Sequence, residues 1–150
     1  MKKKINIAAS LICGDPLNLK DELIQINNGK ADLIHFDVMD GLFVPRYGLY
    51  PEILTYLKKV TNIPVDVHMM VSNPEDYIDD FSKAGADYYN VHVESTIHLH
   101  RVVKKVRDYM YSSLCVCKSV LPPGTVYVQI LYLSTLVLSK STCTEPAVCP

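Results

Sequence analysis

The chain has 150 residues, 49% of them hydrophobic and 21% charged, with a formal net charge of −1. That suits one ordinary domain with a single core, and is too apolar for a disordered chain. The near-neutral balance argues against a basic surface that binds nucleic acid non-specifically, and no apolar run is long enough to span a membrane.

Lys2-Lys3-Lys4 ahead of Ile5 to Cys13 has the outline of a secretory leader. Asn6 interrupts the apolar run, however, and no small-residue cleavage site follows. A cytoplasmic protein is expected. Five cysteines, an odd number, fit reduced thiols there better than a disulfide framework.

Taken in order, Ile5 to Ile12 predicts a first strand, with Ser10 near its end, and Asp15-Pro16 breaks it. Leu19, Leu23, Ile24 and Ile26 give a helical apolar pattern over Asn18 to Asn28, closed by Gly29. Ala31 to Met39 predicts a second strand. Pro51 opens a second helix carried by Ile53, Leu54, Leu57 and Val60, with Lys58 and Lys59 at the end where cations suit the helix dipole. Pro64 to Val71 predicts a third strand. Asn73 as N-cap and Pro74 at the first helical position predict a third helix, closed by Ala84-Gly85. Tyr88 to Val93 predicts a fourth strand and Thr96 to Tyr109 a fourth helix. Units of about 25 to 35 residues are those of βαβ crossovers, so the chain is α/β with a parallel sheet.

Alternation along the second strand puts His35, Asp37 and Met39 on one face and Ile34, Phe36 and Val38 on the other. On the third, Asp66, His68 and Met70 share a face. An imidazole and a carboxylate two residues apart can both reach one cation, and a carboxylate held there can act as a general base. The competing reading is a pair of hydrogen-bonded core polars. Ser10, the His35 and Asp37 pair, His68, and His92 with Glu94 all fall at the C-terminal ends of strands. That edge carries the site in (β/α) barrels and in open parallel sheets alike. Four strands delivering polar groups to one edge favour a site over four separate accidents. Ser10 also fits a plain strand end, the methionines fit core packing, and His92 with Glu94 fits a strand-end hydrogen-bonded pair. His98 and His100 are expected on the surface.

Ala9-Ser10-Leu11, His35-Phe-Asp-Val-Met-Asp-Gly41 with Phe43-Val-Pro45, Asp66-Val-His-Met-Met-Val71 with Asn73-Pro-Glu75, Ala84-Gly-Ala-Asp87 and Val91-His-Val-Glu94 together resemble the ribulose-phosphate 3-epimerase family. The resemblance runs from about Ile5 to Arg107. It implies an incomplete (β/α)8 TIM barrel, about the first five to six strands. It also implies metal-dependent epimerisation of D-ribulose 5-phosphate and D-xylulose 5-phosphate. Allulose 6-phosphate, the substrate of close relatives, is an alternative. Carried over to this sequence, His35, Asp37 and His68 are implied metal ligands and Asp37 an acid–base residue. Ser10, His68, Met39 and Met70 are implied to contact substrate. The implied cofactor is a divalent cation (zinc, iron, manganese or cobalt). The implied partner is a small phosphosugar, with no nucleic acid and no membrane, and a homo-oligomer is compatible with it.

After about Met110 the sequence departs from the family. Leu121-Pro-Pro-Gly-Thr125 preserves a turn, Val126 to Leu133 fits either a helix or a strand, and Leu136-Val-Leu-Ser139 fits a sixth strand. Between Tyr111 and Pro150 only Lys118, Lys140 and Glu145 are charged, and four of the five cysteines lie there. The expected organisation is one partial barrel domain over 1–150 with a divergent tail at 111–150. The family's second catalytic aspartate, which is also its fourth metal ligand, and its glycine-rich phosphate loops have no match. Two classes are therefore expected: an epimerase that needs parts from elsewhere, inactive as this chain alone, or a non-catalytic barrel remnant that serves as an interaction partner.

Overall fold

The computed structural model describes residues 6–109 and, for their backbone, 114–117 and 130–131. Among the described residues six strands form one sheet in chain order: β1 (Ala8–Ser10), β2 (Leu33–Met39), β3 (Val65–Met70), β4 (Tyr88–His92), β5 (Leu114–Cys117) and β6 (Ile130–Leu131). The first five run parallel. Helices α1 (Leu19–Asn28), α2 (Pro51–Val60), α3 (Ile78–Ala84) and α4 (Leu99–Tyr109) fill the intervals between them. Sequential parallel neighbours joined by helices are the repeat of a (β/α) barrel.

The α2 helix begins with Pro51, carries Glu52 in its first turn and ends on Lys58 and Lys59. Leu54 and Leu57 are its buried residues. The α3 helix stops at Gly85, whose φ of 100° an L side chain rarely adopts. The Ala86 N–H then closes back onto the Phe81 carbonyl at 3.1 Å, satisfying a carbonyl that the helix leaves open.

One core lies between the sheet and its helices. Ile34, Phe36, Val38, Val65, Val67, Met69, Tyr89 and Val91 supply the strand side, and Leu54, Leu57, Ile78, Phe81, Val102 and Val106 the helix side. Phe36 meets Phe81 edge to face, ring centroids 6.2 Å apart. The Tyr89 hydroxyl donates to the Ile78 carbonyl at 3.1 Å, and burial pushes its pKa upward. With the core residues of β2, β3 and β4 turned to the helices, alternation leaves the opposite face to His35, Asp37, Asp66, His68, Asn90 and His92, with Met39 and Met70 beside them.

Several expected boundaries shift. The first strand is only Ala8–Ser10, because Leu11–Cys13 tighten into a 3-10 turn that buries Leu11. Asn73 does not cap a helix with its side chain. It adopts φ 56°, which asparagine tolerates, and starts a 3-10 turn over Pro74–Asp76 before α3. The fourth strand ends at His92, and Val93–Ser95 form another such turn. Helix α4 starts at Leu99 rather than Thr96, since Thr96 is extended and its Oγ1 accepts the His98 N–H at 3.1 Å.

Of the ambiguous stretch Val126 to Leu133, Ile130–Leu131 is strand, and it pairs antiparallel to β5. The strands of a (β/α) barrel are all parallel, so five strands here follow the barrel pattern and the sixth does not. The expected turn at Leu121 to Thr125 and strand at Leu136 to Ser139 lie outside the described residues.

Candidate metal centre

The register of the sheet assembles the polar face. Asp37 on β2 pairs with His68 on β3, and His68 in turn pairs with Asn90 on β4. His35 pairs with Ser10 on one side and Asp66 on the other. Met39 pairs with Met70, one step nearer the C-terminal edge.

Asp37 is the hub. Its Oδ1 lies 3.2 Å from His35 Nε2 and 3.0 Å from His68 Nδ1, while its Oδ2 accepts from the Ser10 hydroxyl at 3.1 Å. Ligand atoms of His35, Asp37 and His68 all fall within 4.8 Å of one another. Divalent first-row ions bind imidazole and carboxylate at about 2.0–2.2 Å, so ligand atoms around such an ion sit about 3 Å apart. Two imidazoles and a carboxylate at these separations fit zinc, iron, manganese or cobalt, and the softness of the set does not choose among them.

Around these three stands a set of fixed partners. His35 Nδ1 lies 3.1 Å from Asp66 Oδ2, and Asn90 Nδ2 donates to both oxygens of Asp66 at 2.7 Å. His68 Nε2 lies 2.8 Å from His92 Nε2, one nitrogen donating to the other. The Phe43 ring sits over His92, centroids 5.1 Å apart.

Proton affinities follow from this packing. Burial works against a charge on His35, but the Asp37 and Asp66 carboxylates outweigh it and raise its pKa to about 10. Burial also disfavours the Asp37 carboxylate, yet His35 and His68 hold it well below the usual carboxylate range. His92 falls to about 4, through burial first and His68 second, and is neutral at physiological pH.

The loop after β2 is tied down by its own sequence. Asp40 Oδ1 accepts the N–H groups of Leu42 and Phe43, and its Oδ2 accepts that of Ser72 beyond β3. Gly41 turns at φ 76°. Gly48 lies flat against the strand: a Cβ there would stand 2.6 Å from both the Asp37 carbonyl and the Met39 nitrogen.

Every residue that the sequence offered as ligand, base or substrate contact lies on this face or at its edge. His35, Asp37 and His68 converge, Ser10 touches Asp37, and Met39 and Met70 are half-buried neighbours in register. His92 reaches a candidate ligand directly, whereas Glu94 is exposed. His98 and His100 are exposed. Sequence reasoning gave no site role to Asp66, Asn90 or Asp40. The Asp-x-His spacing placed Asp66 on the right face, but nothing local reveals its partner on β4.

A family model described as the ribulose-phosphate 3 epimerase family matches residues 6–142. Over 104 residues the chain is 42% identical to a ribulose-phosphate 3-epimerase of Bacillus subtilis (strain 168), covering 69% of this chain and 48% of that protein. It is 42% identical over 110 residues to one from Synechocystis sp., covering 72% of this chain and 48% of the relative. To the chloroplastic ribulose-5-phosphate-3-epimerase of Arabidopsis thaliana it is 38% identical over 138 residues, 91% of this chain and 48% of the other. The chain thus spans about half the length of the curated relatives it matches.

Proposed function

The chain belongs to the ribulose-phosphate 3-epimerase family, and on that premise we propose that its site serves the metal-dependent interconversion of D-ribulose 5-phosphate and D-xylulose 5-phosphate. The observation that carries this reading is the convergence of His35, Asp37 and His68 on one point at the C-terminal edge of parallel strands.

Epimerisation beside a ketone removes a C–H proton, passes through an enediolate of the sugar, and returns a proton to the opposite face. His35, Asp37 and His68 would hold a divalent cation, which when bound would supply positive charge for the substrate oxygens. Asp37 is the base for one face. Its depressed pKa keeps it ionised at neutral pH, so its oxygens are open to the proton, although as a weaker base than an ordinary carboxylate. Ser10, which donates to Asp37 Oδ2, fixes the carboxylate rotamer and would also contact substrate. Met39 and Met70 line the reaction centre with thioethers that exclude water without competing for hydrogen bonds.

The opposite face needs a second proton carrier. After Asp108 the sequence contains no aspartate and one glutamate, Glu145. We therefore read residues 1–150 as one partial barrel domain that performs half of the reaction. Returning a proton to the face it left regenerates the starting sugar. Five cysteines, an odd number, and a small phosphosugar substrate suit a cytoplasmic setting. No helix among the described residues is long and apolar enough to cross a membrane.

The test is to supply ribulose 5-phosphate, and separately allulose 6-phosphate, to the purified chain with Mn²⁺ in deuterated water. Deuterium uptake at C3 of the pentulose without xylulose 5-phosphate is expected. Asp37→Asn should slow that uptake about 10²–10⁴-fold, the usual worth of a positioned general base. Epimer formation abolished by Asp37→Asn would make this chain a working epimerase and overturn the half-reaction. Neither exchange nor epimer would leave the non-catalytic remnant.

A further inference from the structure

Asp66 is a carboxylate with its side chain only 14% exposed, facing the metal centre yet outside the cluster that converges on the ion position. A carboxylate taken from water needs partners to offset its lost hydration. Two supply them. Asn90, itself 7% exposed, donates to both oxygens at 2.7 Å, and His35 Nδ1 approaches Oδ2 at 3.1 Å. The three groups come from three adjacent strands, β4, β3 and β2, and form a line that ends at a candidate ligand.

We propose that Asp66, clamped by Asn90, is the positioning residue of the metal centre: it keeps the His35 proton on Nδ1 and presents Nε2 to the cation. An ionised carboxylate can only accept, so the nitrogen facing it must be an N–H. The other ring nitrogen, Nε2, also points a proton at a carboxylate, Asp37 Oδ1 at 3.2 Å, but it does so inside the ligand cluster, so its proton is the one an ion displaces while Nδ1 keeps its own against Asp66. Asn90 makes this choice stiff. By occupying both carboxylate oxygens it fixes the plane of Asp66, which fixes the tilt of the His35 ring. A ligand held this way loses less freedom on binding the ion, and its donor nitrogen becomes more basic. His68 is held differently, by the neutral His92, so the two imidazoles are not equivalent supports. This inference rests on the metal reading above.

The test measures Mn²⁺ affinity of the purified full chain by titration calorimetry, with Zn²⁺-loaded, ¹⁵N-labelled chain for nuclear magnetic resonance. Asp66→Asn should weaken Mn²⁺ about 10–100-fold, the usual cost of losing such an outer partner. The His35 Nδ1–H resonance, protected in the zinc-loaded chain, should broaden or vanish in that variant. Asn90→Ala leaves the carboxylate in place and should weaken Mn²⁺ in the same direction, which keeps the test alive if Asp66→Asn does not fold. In a His35→Ala background, Asp66→Asn should change the affinity by less than about twofold, because a residue acting through His35 has nothing left to act on. Unchanged affinity in both Asp66→Asn and Asn90→Ala, or equal losses with and without His35, would overturn the proposal. A parent chain that binds no Mn²⁺ would remove the metal reading itself, and the silence of the unmutated chain identifies that failure.

Discussion

Asp37 and His68 occupy paired positions on adjacent parallel strands, and the Oδ1 of one lies 3.0 Å from the Nδ1 of the other. They are 31 residues apart in the chain. A slip of one residue in that pairing would turn His68 into the helix layer and Asp66 and Val67 out of place, dissolving the site and the core together. The site and the core therefore share one register.

Removing a ligand should cost more than removing a support. His35→Ala and His68→Ala each delete a donor nitrogen from the cluster. Each is expected to weaken Mn²⁺ or Zn²⁺ beyond the roughly 10–100-fold assigned to an outer partner. Titration calorimetry on the folded variants decides this; an affinity within threefold of the parent would show that the residue is not a ligand.

Cation uptake should release protons. In the cation-free centre His35 holds its proton up to about 10, because the Asp37 and Asp66 carboxylates outweigh the effect of burial. An ion must displace the proton from Nε2, so apparent affinity should strengthen as pH rises from neutrality toward that value. Stability of the cation-free chain runs the other way. A raised pKa contributes fully below the unfolded value of 6.5, and that contribution is lost as pH rises through about 10. Calorimetry in two buffers of different ionisation enthalpy reads the proton count, and thermal melts with a chelator across pH 6 to 10 read the second effect.

Gly48→Ala should damage the centre without touching a ligand. The new Cβ would meet backbone atoms of Asp37 and Met39 at 2.6 Å, and backbone cannot step aside as a flexible side chain can. The Leu49 N–H bond to the Asp37 carbonyl, 2.8 Å, and the Gly48 N–H bond to the Met39 carbonyl, 3.1 Å, would both stretch. A loss of about 1–3 kcal/mol is expected, the range for overpacking, together with weaker Mn²⁺ binding. Urea unfolding and the same metal titration measure the two, and a variant equal to the parent in both would refute the contact.

Phe81→Ala tests the opposite face. The ring is fully buried and packs edge to face on Phe36, which sits between His35 and Asp37 in sequence. A cost of about 3–5 kcal/mol is expected for deleting it, a large share of the total stability of a domain this size. Variants that still fold should keep the metal affinity within a few fold, since no site residue loses a partner. Denaturation midpoints and Mn²⁺ titration separate the two effects.

The sequence by itself determined which face of each strand would be chemical. Strict alternation in His35-Phe-Asp-Val-Met39 and Asp66-Val-His-Met-Met70 is a local property of extended backbone, so Asp37 and His68 could be assigned to the polar side with no knowledge of neighbours. The same reasoning found the helices, because Leu19, Leu23 and Ile26 or Ile53, Leu54 and Leu57 repeat at helical spacing. Only the tertiary structure decided who meets whom. That Asp66 faces His35, that Asn90 grips Asp66 from 24 residues away, and that His92 closes on His68 all depend on strand register. Register is set by how the helix-side residues interlock, a collective packing choice that no single stretch encodes. The three N–H groups gathered by Asp40 and the close seat of Gly48 are of the same kind. Each looks like an ordinary turn residue until the chain has folded back onto it. Local periodicity sets the direction a side chain takes from its strand, and long-range packing sets the partner it finds there.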